Sequence, residues 1–181
     1  HNDLNQIETF SHDALGRRTA DDRGSYTYDL ADRLTSVTRD GTSATFSHDG
    51  NGLLTGLSIG AENRAFVWNY AFELPFPQIE RSGGMDTYYY VAGPGGNLLY
   101  RIDALANQAE YYHFDPLGHT RAVSDNQGSL VATYAYSPYG NVAVSDADFH
   151  NPFTYVGRYG IIHLPQLELY NMRPRVYDPD S

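Results

Sequence analysis

The 181-residue chain carries 22 acidic and 12 basic residues, a formal net charge of −10, and no cysteine. Every basic residue is an arginine, so phosphate loops and Schiff bases that need a lysine are excluded. The lack of cysteine excludes thiolate nucleophiles and zinc–thiolate sites. The negative charge disfavours nucleic acid as a partner, and no apolar run approaches the ~18 residues of a membrane-spanning helix. With 17 Gly, 9 Pro and 16 Tyr, the composition favours a single all-β domain.

A short pattern recurs from the first residues onward: alternating aromatic or histidine side chains, then Asp or a substitute, then a turn. Seven positions are equivalent in this pattern: His12, Tyr28, His48, Trp68, Tyr90, Phe114 and Tyr136. They are separated by 16 to 24 residues, which is the length of a β-hairpin and too short for a helical repeat. The predicted repeat framework comprises Asp13, Gly16, Tyr28, Asp29, Asp49, Gly52, Trp68, Tyr90, Phe114, Asp115, Gly118, Tyr136 and Gly140.

The residues after each aromatic pair predict tight turns. Asp115-Pro116-Leu117-Gly118 and Ser137-Pro138-Tyr139-Gly140 both have the preferred residues of a type I turn, and the Asp side chain is expected to accept bonds from the backbone two residues on. Turn residues also lie between the repeats, so residues 1–150 are predicted to form an antiparallel meander of about seven hairpins. Together with the C-terminal segment, 12 to 16 strands are expected.

Three places depart from this regular pattern. After the second turn, Leu34 and Val37 have opposite parity, which indicates either a bulge or burial on both faces. The fourth repeat runs into residues 73–77, where two prolines predict a longer loop rather than a central strand. Residues 151–181 do not follow the repeat and are predicted to form a C-terminal cap.

The ordered series of motifs resembles the Rhs, or YD-repeat, protein family. The Tyr-Asp pair that names the family is present at Tyr28-Asp29, and other aromatics or histidine replace the Tyr elsewhere. Residues 111–123 and 173–179 resemble the Rhs-associated core. The resemblance implies that the hairpins form part of a spiralling sheet or shell around a downstream effector or toxin polypeptide. It also implies a secreted or cell-surface protein, whose targeting signal is expected outside this chain.

One catalytic candidate follows from the same resemblance. Asp178 matches one of two aspartates that the family links to self-cleavage, and Arg175 lies three residues before it. The sequence stops before the second Asp-Pro of the family motif. Aspartyl chemistry needs two carboxylates that share a proton, so Asp178 with Arg175 is an incomplete candidate and no catalysis is expected.

Neither a metal nor a cofactor is predicted. His113, Asp115 and His119 could be metal ligands, but they straddle one turn without a second cluster, and a structural role is favoured. His12 and His48 are interpreted as substitutes on an aromatic face, and replacing His119 is expected to change stability little. Sheet packing is favoured over sugar binding for the tyrosines because they follow the repeat.

Three functions remain open at this point. The first is a structural, non-catalytic shell segment whose partners are a downstream effector polypeptide or the remaining repeats of a longer chain. The second is a self-assembling extracellular fibre or surface-layer subunit, a homo-oligomer joined through exposed strands near residues 4–12 and 167–177. The third is half of an aspartyl autoprotease region.

Overall fold

The computed structural model describes Ile7 and residues 9–180, so part of the predicted edge at residues 4–12 lies outside the described residues. The described chain forms one 14-stranded antiparallel sheet, in which every strand pairs with its neighbours in sequence, and a separate three-stranded sheet. The large sheet contains β1 Ser11–His12, β2 Arg18–Ala20, β3 Gly24–Tyr28, β4 Leu34–Arg39, β5 Thr42–His48, β6 Leu54–Ile59, β7 Glu62–Asn69, β8 Phe76–Ser82, β9 Met85–Ala92, β10 Leu98–Asp103, β11 Gln108–Phe114, β12 Thr120–Ser124, β13 Leu130–Tyr136 and β14 Val142–Val144.

The small sheet follows after a 3-10 turn at Gly157–Tyr159 and contains β15 Ile162–Leu164, β16 Leu169–Met172 and β17 Arg175–Tyr177. The prediction of an all-β hairpin meander is confirmed. The described chain has 17 strands, which is above the predicted 12 to 16, because the C-terminal segment adds three strands to the 14 of the meander.

One face of the large sheet is buried because apolar residues alternate with polar ones along its strands. In β5, Ala44 and Phe46 are buried while the residues beside them are exposed, and in β7 the same alternation buries Phe66 and Trp68. Every second strand from β3 to β13 adds aromatic side chains to this face, namely Tyr26, Phe46, Phe66, Trp68, Tyr90, Tyr112 and Tyr134. The aromatic residues that recur along the sequence therefore recur along the buried face of the sheet.

The opposite parity of Leu34 and Val37 results from a bulge. Tyr28 pairs with Leu34, whereas Thr27 pairs with Ser36, so β4 has one extra residue beside the turn and both apolar side chains are buried. Register shifts occur at the corresponding place in four other hairpins, those that begin with β1, β5, β9 and β11. The bulge is thus a recurring part of the hairpin.

Where a repeat carries an Asp, the side chain of that Asp bonds to the backbone of the turn as predicted. In Asp115, the carboxylate Oδ1 accepts hydrogen bonds from the backbone N–H groups of Leu117, at 3.0 Å, and His119, at 3.0 Å. The same pair of bonds, to the second and fourth residues after the Asp, recurs at four other turns, those of Asp13, Asp29, Asp49 and Asp125. The fourth turn position has positive φ, as at Gly118 with +89°, which favours glycine there.

Two predictions about strands were wrong. Pro77 lies inside β8, where it pairs with Trp68 at a register shift, so the bulge tolerates the missing N–H and only the residues before Phe76 form a loop. Residues 167–177 are not an edge of the meander. They contribute β16, the buried central strand of the small sheet, and the large sheet ends instead at β14.

Candidate functional site

The carboxylate of Asp178 is buried where the C-terminal unit, defined as residues 151–180, meets the first hairpins. Asp178 follows β17 and is 7% exposed. Arg39, at the end of β4 and 1% exposed, donates from Nη1 to Oδ2 at 2.7 Å and from Nη2 to Oδ1 at 3.1 Å. Arg18 in β2 donates to the same Oδ2 at 3.2 Å. Two guanidinium groups from distant sequence therefore hold one carboxylate.

These contacts fix the charge state of Asp178. Burial by itself would raise the pKa of this carboxyl group, but the hydrogen bonds and positive charge of Arg39, with the charge of Arg18, lower its pKa below the ordinary value. Asp178 is therefore a buried anion at neutral pH. Removing one partner from such a buried ion pair leaves the other charge uncompensated, which is costly.

A second buried carboxylate, Asp21, shares Arg18 with Asp178. The Arg18 Nη1 lies 3.3 Å from Asp21 Oδ2, and the side chain of Asp21 is 3% exposed. Tyr26 donates its hydroxyl proton to Asp21 at 2.8 Å, and its own hydroxyl accepts from Arg39 at 3.0 Å. Burial, followed by the bond to Asp21, raises the pKa of Tyr26 to about 12. Two carboxylates, two arginines and one neutral phenol are thus linked in one network.

A more exposed set of ion pairs surrounds this network. Arg23, between β2 and β3, binds Asp180 at 2.7 Å, Asp40 at 2.5 Å and also Glu168. Asn141, just before β14, donates its side-chain N–H to Asp180 at 3.1 Å. The last residues of the C-terminal unit therefore contact both the beginning and the end of the large sheet.

The C-terminal unit also binds the last hairpin turn directly. Tyr170 donates its hydroxyl proton to the carbonyl of Gly140 at 2.6 Å, and Tyr177 donates to the carbonyl of Tyr139 at 2.7 Å. The unit is also bonded to β12, where Thr120 donates its hydroxyl proton to the carbonyl of Phe153 at 2.6 Å. These contacts make the C-terminal unit a tie that joins hairpins far apart in the sheet.

His113 and His119, which were considered from the sequence as metal ligands and set aside, both contact other groups of the chain. His119 accepts a hydrogen bond at Nδ1 from the backbone N–H of Val156 at 2.9 Å, and its ring stacks on Tyr155. His113 Nε2 instead lies 2.8 Å from the hydroxyl of Ser124. Residues 7 and 9–180 contain no group of three or more His, Cys, Asp or Glu side chains that could hold a metal ion.

The other predicted site residues are Arg175 and the residues of the repeat framework, and none of them binds Asp178 through a bond described above. Arg175 is exposed in β17, and the guanidinium groups that bind Asp178 come instead from Arg39 and Arg18. The framework residues lie in the turns or at the strand ends beside them, apart from Trp68 and Tyr90 on the buried face. The partners of Asp178 were not predicted from the sequence because they are distant along the chain: Arg39 is 139 residues away and Arg18 is 160 residues away.

Comparison with known proteins supports the repeat and the fold. The RHS Repeat family model matches residues 28–62. The chain is 29% identical over 192 aligned residues to the "tRNA3(Ser)-specific nuclease WapA" of Bacillus spizizenii, covering 98% of this chain and 8% of that protein. It is 26% identical to the "Double-stranded DNA deaminase toxin A" of Burkholderia cenocepacia, covering 97% of this chain and 14% of that protein.

Among solved structures, the crystal structure of TcdB2-TccC3 superposes with a TM-score of 0.65 at 17% identity, covering 93% of this chain and 9% of that one. The Photorhabdus luminescens Tc holotoxin pore gives the same values. The chain therefore spans less than a sixth of each of these proteins. Both kinds of comparison confirm the identification made from the turns: this chain carries the RHS repeat, in a fold that it shares with TcdB2-TccC3.

Proposed function

We propose that this chain is one section of a β-hairpin shell that encloses or presents a downstream effector polypeptide, and that it performs no catalysis itself. The observation that carries this proposal is the C-terminal tie. Arg39 and Arg18 bind Asp178 at one end of the sheet, while Asn141 and the carbonyl of Gly140 bind the same unit at the other. A tie between distant hairpins fixes the curvature of a sheet, which is what an enclosing wall requires.

The named relatives support the same role. They are long toxins and nucleases of which this chain covers a small share, so the named activities belong to proteins with a great deal of other sequence. We propose the division of this chain into hairpins over residues 1–150 and a Rhs-core-like cap over residues 151–181. The proposed partners are the effector and further repeats, and the proposed location is outside the cell or on its surface.

The contacts of Asp178 favour an anchor over half of an autoprotease. An aspartyl pair works when its two carboxylates share a proton. Here the arginines lower the pKa of Asp178, and the neighbouring carboxylate of Asp21 also faces Arg18. Charge compensation by guanidinium groups removes the reason for a shared proton, and it stabilises the tie.

The described residues contain no helix that is long and apolar enough to cross a membrane. The proposal is tested on the purified polypeptide encoded by the complete reading frame. We expect any sequence after residue 181 to resist protease in the intact protein and to become sensitive when the sheet is unfolded in urea. Fragments identified by mass spectrometry give the result. A downstream segment that is digested equally fast before and after unfolding, or a reading frame that ends at Ser181, would overturn enclosure.

A further inference from the structure

Within residues 7 and 9–180, the last strand of the large sheet has one edge without a partner strand. β14 is the final member of the strand order and pairs only with β13 among the described residues. Ser145 N–H bonds to the Thr133 carbonyl at 3.0 Å, and the paired residues then alternate between bonded and non-bonded positions. Ala143 therefore directs its backbone groups to β13, whereas Val142 and Val144 direct theirs to the free edge.

A half-open cavity of about 700 Å³ lies beside this edge, between the large sheet and the C-terminal unit. Val142 and Val144 both line it, together with the aromatic rings of Tyr134, Phe149 and Tyr170. Its volume is in the range of sites that take a small molecule or a few side chains. The free edge thus borders a space large enough for the side chains of an added strand.

The charges around the cavity favour a cationic occupant. Four carboxylates line it, those of Glu62, Asp148, Glu168 and Asp180, against the single guanidinium of Arg64. Arg64 is already engaged, since its Nε lies 3.0 Å from Glu62 and its Nη1 lies 3.7 Å from Glu80. Even with Arg23 bound to Glu168 and Asp180, the carboxylates outnumber the arginines.

From these observations, we propose that β14 binds an extended polypeptide by strand addition, and that basic side chains at alternate positions of that polypeptide enter the acidic cavity. Backbone pairing along Val142 and Val144 supplies affinity, and the cavity supplies the preference for basic residues. This inference does not depend on the proposed enclosure.

The test uses the purified 181-residue chain and a blocked hexapeptide of alternating Arg and Val, titrated by calorimetry. We expect saturable binding of one peptide per chain. A control peptide in which Glu replaces each Arg should not bind. A hexapeptide N-methylated on the residues that face β14 should bind about tenfold more weakly, because N-methylation removes the donors for strand pairing.

Variants of the protein separate the edge from the cavity. Val144→Pro removes the free N–H without removing a bond to β13, and it should weaken binding about tenfold, whereas the matched Val144→Ala should have little effect. Asp148→Asn should weaken binding about threefold and reduce its salt dependence, while Glu73→Gln, an exposed acid outside the cavity lining, should not.

Three results would overturn the proposal. Equal binding of the normal and N-methylated peptides would exclude strand addition, even if Val144→Pro failed to fold. Equal binding of the Arg and Glu peptides would exclude the acidic preference. Concentration-dependent self-association without any peptide binding would show that the edge pairs with a second copy of this chain.

Discussion

The first and last hairpin turns have the same local structure but are held in place differently. At the turns of Asp13 and Asp29, the residue after the positive-φ position is an arginine, and it binds both its own Asp and the following turn. Arg33 Nε donates to Asp29 Oδ2 at 2.7 Å, and its Nη1 donates to the carbonyl of Asp49 at 2.7 Å. Arg17 makes the equivalent bonds to Asp13 and to the carbonyl of Asp29.

At the last turns, the corresponding residue is no longer arginine, and the C-terminal unit supplies the tie. His119 bonds to Val156, and Gly118 and Gly140 lie against the rings of Tyr159 and Tyr155. The early turns are thus joined to their neighbours in sequence, whereas the late turns are joined to a distant segment. The comparison shows that the turn motif determines the local structure of the hairpin. The residue after the positive-φ position determines which part of the chain the turn is bonded to.

Breaking the long-range tie should have the largest effect. Asp178→Asn leaves Arg39 buried without its full counter-charge and should lower the free energy of unfolding by about 3–5 kcal/mol. Urea unfolding measures the change. Asp40→Asn, which weakens a half-exposed pair with Arg23, is the control and should cost less than about 1 kcal/mol. Equal losses in the two variants would contradict the central place of Asp178.

A buried histidine in the C-terminal unit should make the tie sensitive to acid. Burial, and then the charge of Arg64, lowers the pKa of His163 to about 4. In the unfolded chain this histidine is protonated below about pH 6.5, whereas in the folded chain it stays neutral down to about pH 4. The free energy of unfolding therefore falls as the pH drops from about 6.5 to 4, by about 3 kcal/mol in all.

His163→Phe keeps the stacking on Tyr170 and should remove most of this loss between pH 6.5 and 4. His48, whose pKa burial also lowers, contributes a remainder of the same sign. The lowered pKa of Asp178 acts in a different window, because its contribution is lost only below about pH 3.9. Unfolding curves from pH 7 to 3 test this, and an unchanged acid loss in the variant would contradict it.

Two glycines with similar φ sharpen the contrast between the late turns and an unattached turn. Gly118→Ala places a Cβ 2.5 Å from the ring of Tyr159 at φ +89°, and it should cost about 2–3 kcal/mol. Gly128→Ala, at φ +84° with nothing within 4 Å, should cost only about 1 kcal/mol. The measurement is again the urea midpoint. If the two costs are equal, backbone strain alone explains both, and contact with the C-terminal unit does not matter.

The smallest expected effect is at an early turn. Arg33→Gln removes the bonds to Asp29 and to the Asp49 carbonyl and should lower the Tm by about 2–4 °C. Arg33→Lys should not restore it, since one ammonium lacks the fork that reaches two acceptors. A Tm unchanged in Arg33→Gln would show that backbone pairing between β4 and β5 suffices.

The sequence predicts the hairpins well because their determinants are local. The Asp115 side chain and the φ of Gly118 act within one turn, so their residue types indicate the structure directly. The candidate site was not predictable in this way. Arg18, Arg39 and Asp21 look like ordinary strand and loop residues, and only the folded chain brings them to Asp178. The structure likewise changes the expectation for His119, whose bond to Val156 gives its replacement a cost.

Arg17 and Arg33 each donate to a backbone carbonyl on the following turn, and Arg17 also binds the side chain of Asp32 there. Every hairpin of this type offers that carbonyl whatever its sequence, so the early hairpins are connected by an interchangeable joint. If a hairpin were inserted or removed between Arg17 and Arg33, each guanidinium group would still find a backbone carbonyl as its acceptor on the following turn. Sheets of different length could then arise by duplication or loss of single hairpins, whereas the C-terminal unit needs particular side chains at both ends of the sheet.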